Sequence, residues 1–273
     1  MNYSLGNMLG GGMIGGLDPS AKAYINAVVA AGATVSGTQK EAINTFVKTG
    51  KSDGWYSSLK RMYLPIWGVA APNAIDMIGL TSGTFMGTVT HSSGYVQSNG
   101  TTGYFRTSTT FPDQGLTVSD GSLFILNYTA NTTNPAISIG AGNINTSYIL
   151  KGLTTVFARW CTSGSAVAGT VTRTGIFSFS RKSGVRTLSR RATSGRSVLE
   201  TLTNSDFGTL AVSPVFALAN NATDTAASFS PASYDNAQTG AYGFGLGMTN
   251  AQDTAFTLAL KTLWETCTGL TLP

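Results

Sequence analysis

Tyr242-Gly243-Phe244-Gly245-Leu246-Gly247-Met248, running into Thr249 and Gln252 at the head of an apolar-periodic segment, is the stretch that decides how this chain is read. Large side chains alternate with glycine. In a strand every second residue shares a face, so Tyr242, Phe244, Leu246 and Met248 are expected to form one apolar stripe, while the glycines let another backbone come close. Thr249 with Gln252 three residues on reads as a capping box. Phe256, Leu260, Leu263, Trp264 and Cys267 then recur at the spacing of one buried helical face over 250–267, and Gly269 is placed to stop it. A strand delivered straight into a helix predicts a β body closed by a helix.

Working towards the N-terminus, the period is that of short strands separated by Gly, Asn, Ser and Pro. Strands are expected near 74–80, 103–107, 123–129, 155–160, 175–181 and 215–218. Many short strands with regular turn signals predict a mainly β sandwich or jelly roll over 64–273. Before it, Asp18-Pro19 supplies an N-cap and a first-position proline, with Tyr24, Ala27, Val28 and Ala31 on one face. Ser36 with Gln39 forms a second capping box ahead of Ala42, Ile43, Phe46 and Val47. Trp55, Leu59, Met62 and Tyr63 suggest a third short helix, giving a helical preface over 18–63. Residues 1–17 are a glycine-rich leader in which Leu9, Met13 and Ile14 would gain by leaving water. They are read either as a loose terminus or as an anchor that orders on docking to a neighbouring subunit.

A chain of 273 residues with 42% hydrophobic content can build a substantial core as one main domain. Charged residues are 11%, against about 25% in an average soluble protein. Thr, Ser, Asn and Gly replace them, as is common in extracellular and virion β proteins. The N-terminus lacks the basic segment of a secretory signal, and no stretch is apolar enough for membrane insertion. Cys161 and Cys267 have no metal-ligand spacing; burial as small apolar groups is expected in preference to pairing.

No carboxylate pair, nucleophile elbow or metal-ligand cluster stands out. The 12 acids are scattered singly, and His91 is alone. Catalysis, a metal and a cofactor are therefore not expected, although a glycosidase that assembled two carboxylates from distant strands remains the reading from another class. The cations are lopsided: no acid lies between Asp120 and Glu200, where Arg181, Lys182, Arg186, Arg190, Arg191 and Arg196 cluster. Two readings stay open for them: solvated strand edges that discourage wrong pairing, or a contact surface for an acidic neighbour or glycan. Nucleic acid fits less well, because aromatics are not interleaved with these arginines. Tyr95, Tyr104, Phe105, Tyr128 and Tyr148 are aromatic candidates for a sugar platform, most of them expected to be core.

The order of signals also resembles a known group. Asp18-Pro19-Ser20-Ala21-Lys22-Ala23-Tyr24-Ile25, Lys51-Ser52-Asp53-Gly54-Trp55, Tyr63-Leu64-Pro65, Asn99-Gly100-Thr101-Thr102-Gly103-Tyr104-Phe105 and Gly245-Leu246-Gly247-Met248-Thr249-Asn250-Ala251-Gln252 occur in that sequence. Together they resemble tailed-bacteriophage virion proteins with a concanavalin A-like, laminin-G-like jelly roll. The resemblance implies a non-enzymatic virion structural protein, a capsid decoration or a tail-associated adhesin for host surface glycans. Its implied partners are other virion proteins and further copies of itself, and its implied location is the virion.

Overall fold

The computed structural model describes residues 16–132, 136–141, 147–151, 155–160, 167–170, 172–203, 210–221 and 231–273. Leu9, Met13, Ile14 and Cys161 lie outside them. The chain begins with α1 (Pro19–Ala30) and α2 (Gly37–Ser52), then a 3₁₀ turn (Tyr56–Ser58), β1 (Leu59–Tyr63) and one helical turn, α3 (Ala70–Asn73). Then come β2 (Thr84–Met86), β3 (Val89–His91), β4 (Val96–Ser98), β5 (Tyr104–Arg106), β6 (Asp120–Asn127), β7 (Ala136–Ala141), β8 (Ser147–Lys151) and β9 (Thr155–Arg159). After them follow β10 (Val167–Thr170), β11 (Gly175–Lys182), β12 (Val185–Ala192), β13 (Gly195–Thr203), β14 (Phe216–Ala217), β15 (Asn220–Asn221), β16 (Pro231–Ala232), β17 (Gln238–Gly245) and α4 (Asn250–Thr268).

Local signals set the helix ends. Asp18 caps α1 by accepting from Ser20 N at 2.9 Å. The Ser36/Gln39 and Thr249/Gln252 boxes are both closed reciprocally, and Gly269 ends α4 at φ 72°.

Among the described residues, one sheet runs β13-β12-β11-β6-β17-β4-β3, with β1 also on β17; the other runs β10-β9-β8-β7-β14-β5-β2, with β15 also on β7 and β16 on β15. Alternation sorts the first sheet's side chains. Leu123, Ile125, Phe177, Phe179, Tyr242 and Phe244 fill the space between the sheets. Phe124, Leu126, Ile176 and Ala241 face the other way, into a second core built with α1, α2 and α4. The architecture is a mainly β sandwich with one sheet covered by helices, and strand β6 is buried from Gly121 to Asn127.

Three expectations are corrected. The apolar stripe stops at Phe244: β17 ends at Gly245, Leu246 is only partly buried, and Met248 joins the helical core. The third helix is instead the 3₁₀ turn and β1, so the preface hands over to the sheet before residue 63. Leu59, Met62 and Tyr63 carry helical spacing because a register irregularity between Leu59 and Arg61 breaks strict alternation. The expected strand at 74–80 is a turn. Asp76 accepts from Met62 N at 2.9 Å, Ile78 N at 3.0 Å and Gly79 N at 2.7 Å, capturing amides that a ladder would need.

The glycines of β17 act as read. A Cβ on Gly243 would meet the Arg61 carbonyl and the Phe124 ring, and one on Gly245 the Ser58 carbonyl. β1 can therefore lie close against the second half of β17.

Candidate functional site

The arginine-rich segment becomes β11–β13, and its side chains are used within the chain. Arg181 stands opposite Arg186 in the β11–β12 pair. Both are fully buried, with Arg181 Nη1 donating to the Trp160 carbonyl at 3.1 Å. Arg191 turns to the opposite face and reaches α4, donating to Thr257 Oγ1 at 3.0 Å and to the Thr254 carbonyl at 2.9 Å. Arg196 grips Asp253 of the same helix through Nε at 3.0 Å and Nη2 at 2.6 Å, and Ser189 Oγ donates to that carboxylate at 2.7 Å. Lys182 Nζ donates to the Gly247 carbonyl and Arg190 Nε to the Thr174 carbonyl.

Both readings are thereby corrected for Arg181, Arg186 and Arg191. β11 and β12 are interior strands with α4 against them, so Arg181, Arg186 and Arg191 meet neither solvent nor an external acid. Lys182, Arg190 and Arg196 are partly exposed, but each already donates to a partner inside the fold. Lys182 and Arg196 fasten the lead-in turn and α4 to the sheet, and Arg190 ties β12 to the residue before β11.

Several acids are similarly occupied, among them Asp76, Asp235 and Glu265. Burial pushes the Asp76 carboxyl above its ordinary value, against the pull of three backbone N–H groups and Arg61, whose Nη1 lies 3.0 Å away. A raised carboxyl can mark a catalytic acid. Here its contacts close a turn. Asp235 accepts from Ser138 Oγ at 2.6 Å, Glu265 from Lys261 Nζ at 2.6 Å and Leu272 N at 2.8 Å. Asp206 and Asp224 lie outside the described residues. Among the described residues no three His, Cys, Asp or Glu side chains gather as metal ligands, and no helix is long and apolar enough to cross a membrane. His91, at the end of β3, meets Asn73 Nδ2 through Nδ1 at 3.1 Å and packs edge-on to Phe85; its partial burial lowers its pKa. Cys267 is a buried free thiol, pushed up to about 12 by desolvation.

Two surface features remain. Between α2 and α4 an apolar trough of ≈ 710 Å³ is lined by Ala42, Thr45, Phe46, Leu258, Ala259 and Thr262, with Glu41 and Asp53 also lining it. Leu258 is 51% exposed there, a large apolar side chain on the outward face of α4.

The second lies on the helix-covered face of the first sheet, beside the last turns of α4. Tyr104 and Phe105 are core, and the Tyr148 side chain lies outside what is described, but Tyr95 and Tyr128 are partly exposed. Their rings are near-parallel, at 19°, with centroids 6.4 Å apart. Tyr128 rests on buried Trp264 at 5.4 Å, whose Nε1 donates to the Gly94 carbonyl at 2.8 Å. Gly240 makes room: a Cβ there would strike the Trp264 indole. Gln97 and Gln238 are cross-strand partners next to the pair. Composition alone could nominate these tyrosines; only the register of β4, β17 and β6 reveals the glutamines beside them.

No protein-family model matches the chain, and no curated protein matches it. Among solved structures it is similar to a point mutant titled HCR/D, at a TM-score of 0.50 and 6% identity, covering 75% of this chain and 52% of that one. The botulinum neurotoxin serotype D binding domain matches at 0.48 and 7%, with 75% and 52% covered. The VIP36 exoplasmic/lumenal domain in a Ca2+/Man2-bound form matches at 0.40 and 10%, with 70% and 89% covered. The chain thus spans about half the length of the toxin domain it matches, 52%. The likeness is one of fold: a lectin-like jelly-roll sandwich.

Proposed function

We propose that this chain is a non-enzymatic structural protein of a tailed-bacteriophage particle, a capsid decoration component whose helical layer joins the particle and whose sandwich is displayed. The observation that carries this reading is the trough between α2 and α4, an apolar surface that the described residues leave open on the layer facing away from the sheets. The occupant we assign to it is the leader of a neighbouring copy, with Leu9, Met13 and Ile14 as its apolar contacts. The leader starts at the right place. Residues 1–15 contain no charged side chain, and the Gly16 carbonyl that follows them accepts from Lys48 Nζ at 3.4 Å, next to Thr49 on the trough. Fifteen residues reach up to about 50 Å when extended, enough to cross to a second subunit.

The test pairs solution mass with particle binding. The full chain is expected to be a homo-oligomer by light scattering, to become a monomer when residues 1–15 are removed, and to bind and stabilise particles stripped of it only when they are present. An oligomer indifferent to that deletion overturns the leader assignment, and failure to bind stripped particles overturns the decoration role. A second reading, a tail-associated adhesin for host surface glycans, is favoured by the Tyr95–Tyr128 pair. Loss of host adsorption from the stripped particles, with their shells unchanged, would select it.

A further inference from the structure

We infer that Tyr95, Tyr128, Gln97 and Gln238 form a binding site for a neutral sugar ring. The site deepens the adhesin reading and rests on it for the ligand's source. Register puts the four side chains together. Gln238 of β17 stands opposite Gln97 of β4, and on its other side Tyr128 N donates to the Gln238 carbonyl at 2.7 Å. Residues directly opposite share a face, and Tyr95, two positions from Gln97, shares it too.

The chemistry is that of a saccharide platform. A pyranose presents a C–H face and a rim of hydroxyls; a tyrosine ring supplies the matching apolar surface with a polar tip, and an amide offers a donor and an acceptor to adjacent hydroxyls. Among the described residues, neither the Tyr95 nor the Tyr128 hydroxyl has a hydrogen-bond partner, and the Gln238 side chain has none. Gln97 Nε2 donates to the Asn236 carbonyl at 3.0 Å, which fixes its side chain. The surroundings are held still. Trp264 supports Tyr128 from below, Gln238 N donates to Thr129 Oγ1 at 3.0 Å, and Thr132 and Asn236 bond each other reciprocally at 2.8 and 2.6 Å. The fixed Gln97 amide and the supported Tyr128 ring lose little freedom when a ligand docks. Three residues paired or bonded to the platform, Thr90, Thr129 and Asn236, are uncharged, which suits a neutral ring.

The test is a titration of the full chain with neutral hexose and N-acetylhexosamine oligosaccharides, read by saturation-transfer NMR and calorimetry. Binding with a Kd on the order of 0.1–1 mM is expected for a shallow site. Tyr95→Ala and Gln238→Met, both at partly exposed positions, should weaken it about tenfold and about threefold while leaving Tm unchanged; Tyr128→Ala also uncovers Trp264 and serves only as a supporting variant. Three results overturn the proposal: no neutral sugar bound at 10 mM, affinity unchanged in Tyr95→Ala and Gln238→Met, or capture only of acidic polysaccharides or of proline-rich peptides. Host adsorption by particles carrying Tyr95→Ala is scored separately. Retained adsorption with sugar binding lost would defeat the adhesin reading and leave the site standing.

Discussion

Replacing Asp253 by asparagine should loosen α4 from the sheet. The Asp253 and Arg196 side chains are only 5% and 9% exposed and are 2.6 Å apart. Ser189 Oγ and two guanidinium N–H groups converge on one oxygen, Oδ2. An amide at this position would keep the volume but leave a nearly buried guanidinium without its counter-charge. Removing one partner of such a pair typically costs about 3–5 kcal/mol, because the remaining charge stays desolvated. At about 2–4 °C per kcal/mol for a chain of this size, Tm should fall by roughly 6–20 °C. Urea unfolding followed by far-UV circular dichroism measures the loss, and an unchanged m-value shows that the same surface unfolds. Arg196→Met combined with the Asp253→Asn change should recover much of it, since both charges are then gone. A loss below about 1 kcal/mol in the single variant, or no recovery in the double, would refute the view that these arginines are internal fasteners.

Other expectations follow from single contacts. Gly243→Ala pushes a methyl into the Arg61 carbonyl and the Phe124 ring, and should cost about 1–3 kcal/mol in urea unfolding; a neutral result would mean that β1 shifts freely. Phe256→Ala, which removes a ring packed on Trp55 at 5.3 Å and Phe124 at 4.9 Å, should cost about 3–5 kcal/mol and lower the near-UV aromatic signal. Burial lowers the folded pKa of His91 below its unfolded value, so the unfolded chain binds more protons: stability is full above about pH 6.5 and declines as pH drops towards the folded pKa. His91→Gln should flatten that part of a Tm-versus-pH curve between 7 and 5, and identical curves would refute it. Cys267, with its thiol lifted to about 12, should react with iodoacetamide at pH 8 far more slowly than a free thiol in a Cys161→Ser background, and equal rates would contradict its burial.

Short-range signals were legible in the sequence, and long-range ones were not. The two capping boxes, the proline start of α1 and the glycine stop of α4 each depend on a few neighbouring residues, so reading them needs no fold. The jelly roll was legible because alternation recurs in many segments. The leading misreading concerned the arginines. Sequence reports that Arg181, Arg186 and Arg191 are cations, but whether they face solvent depends on which strands flank theirs and on a helix that arrives sixty residues later. Leu59, Met62 and Tyr63 mislead because an irregular strand can imitate helical spacing. Gln97 and Gln238 are separated by more than a hundred positions, and only sheet register brings them beside the tyrosines.

β17 has one further consequence. It occupies the middle of its sheet, with β6 along one edge and, on the other, β4 against its first residues and β1 against its last. All three partners are made before it. On the ribosome the emerging chain therefore holds an open slot, with unsatisfied β6 backbone on one side and two detached strands on the other, until residues 238–245 arrive to fill it. Every contact that closes the slot is distant along the chain, which makes assembly slow. Chains halted before residue 238 would expose paired-strand templates to one another, and are expected to aggregate during synthesis.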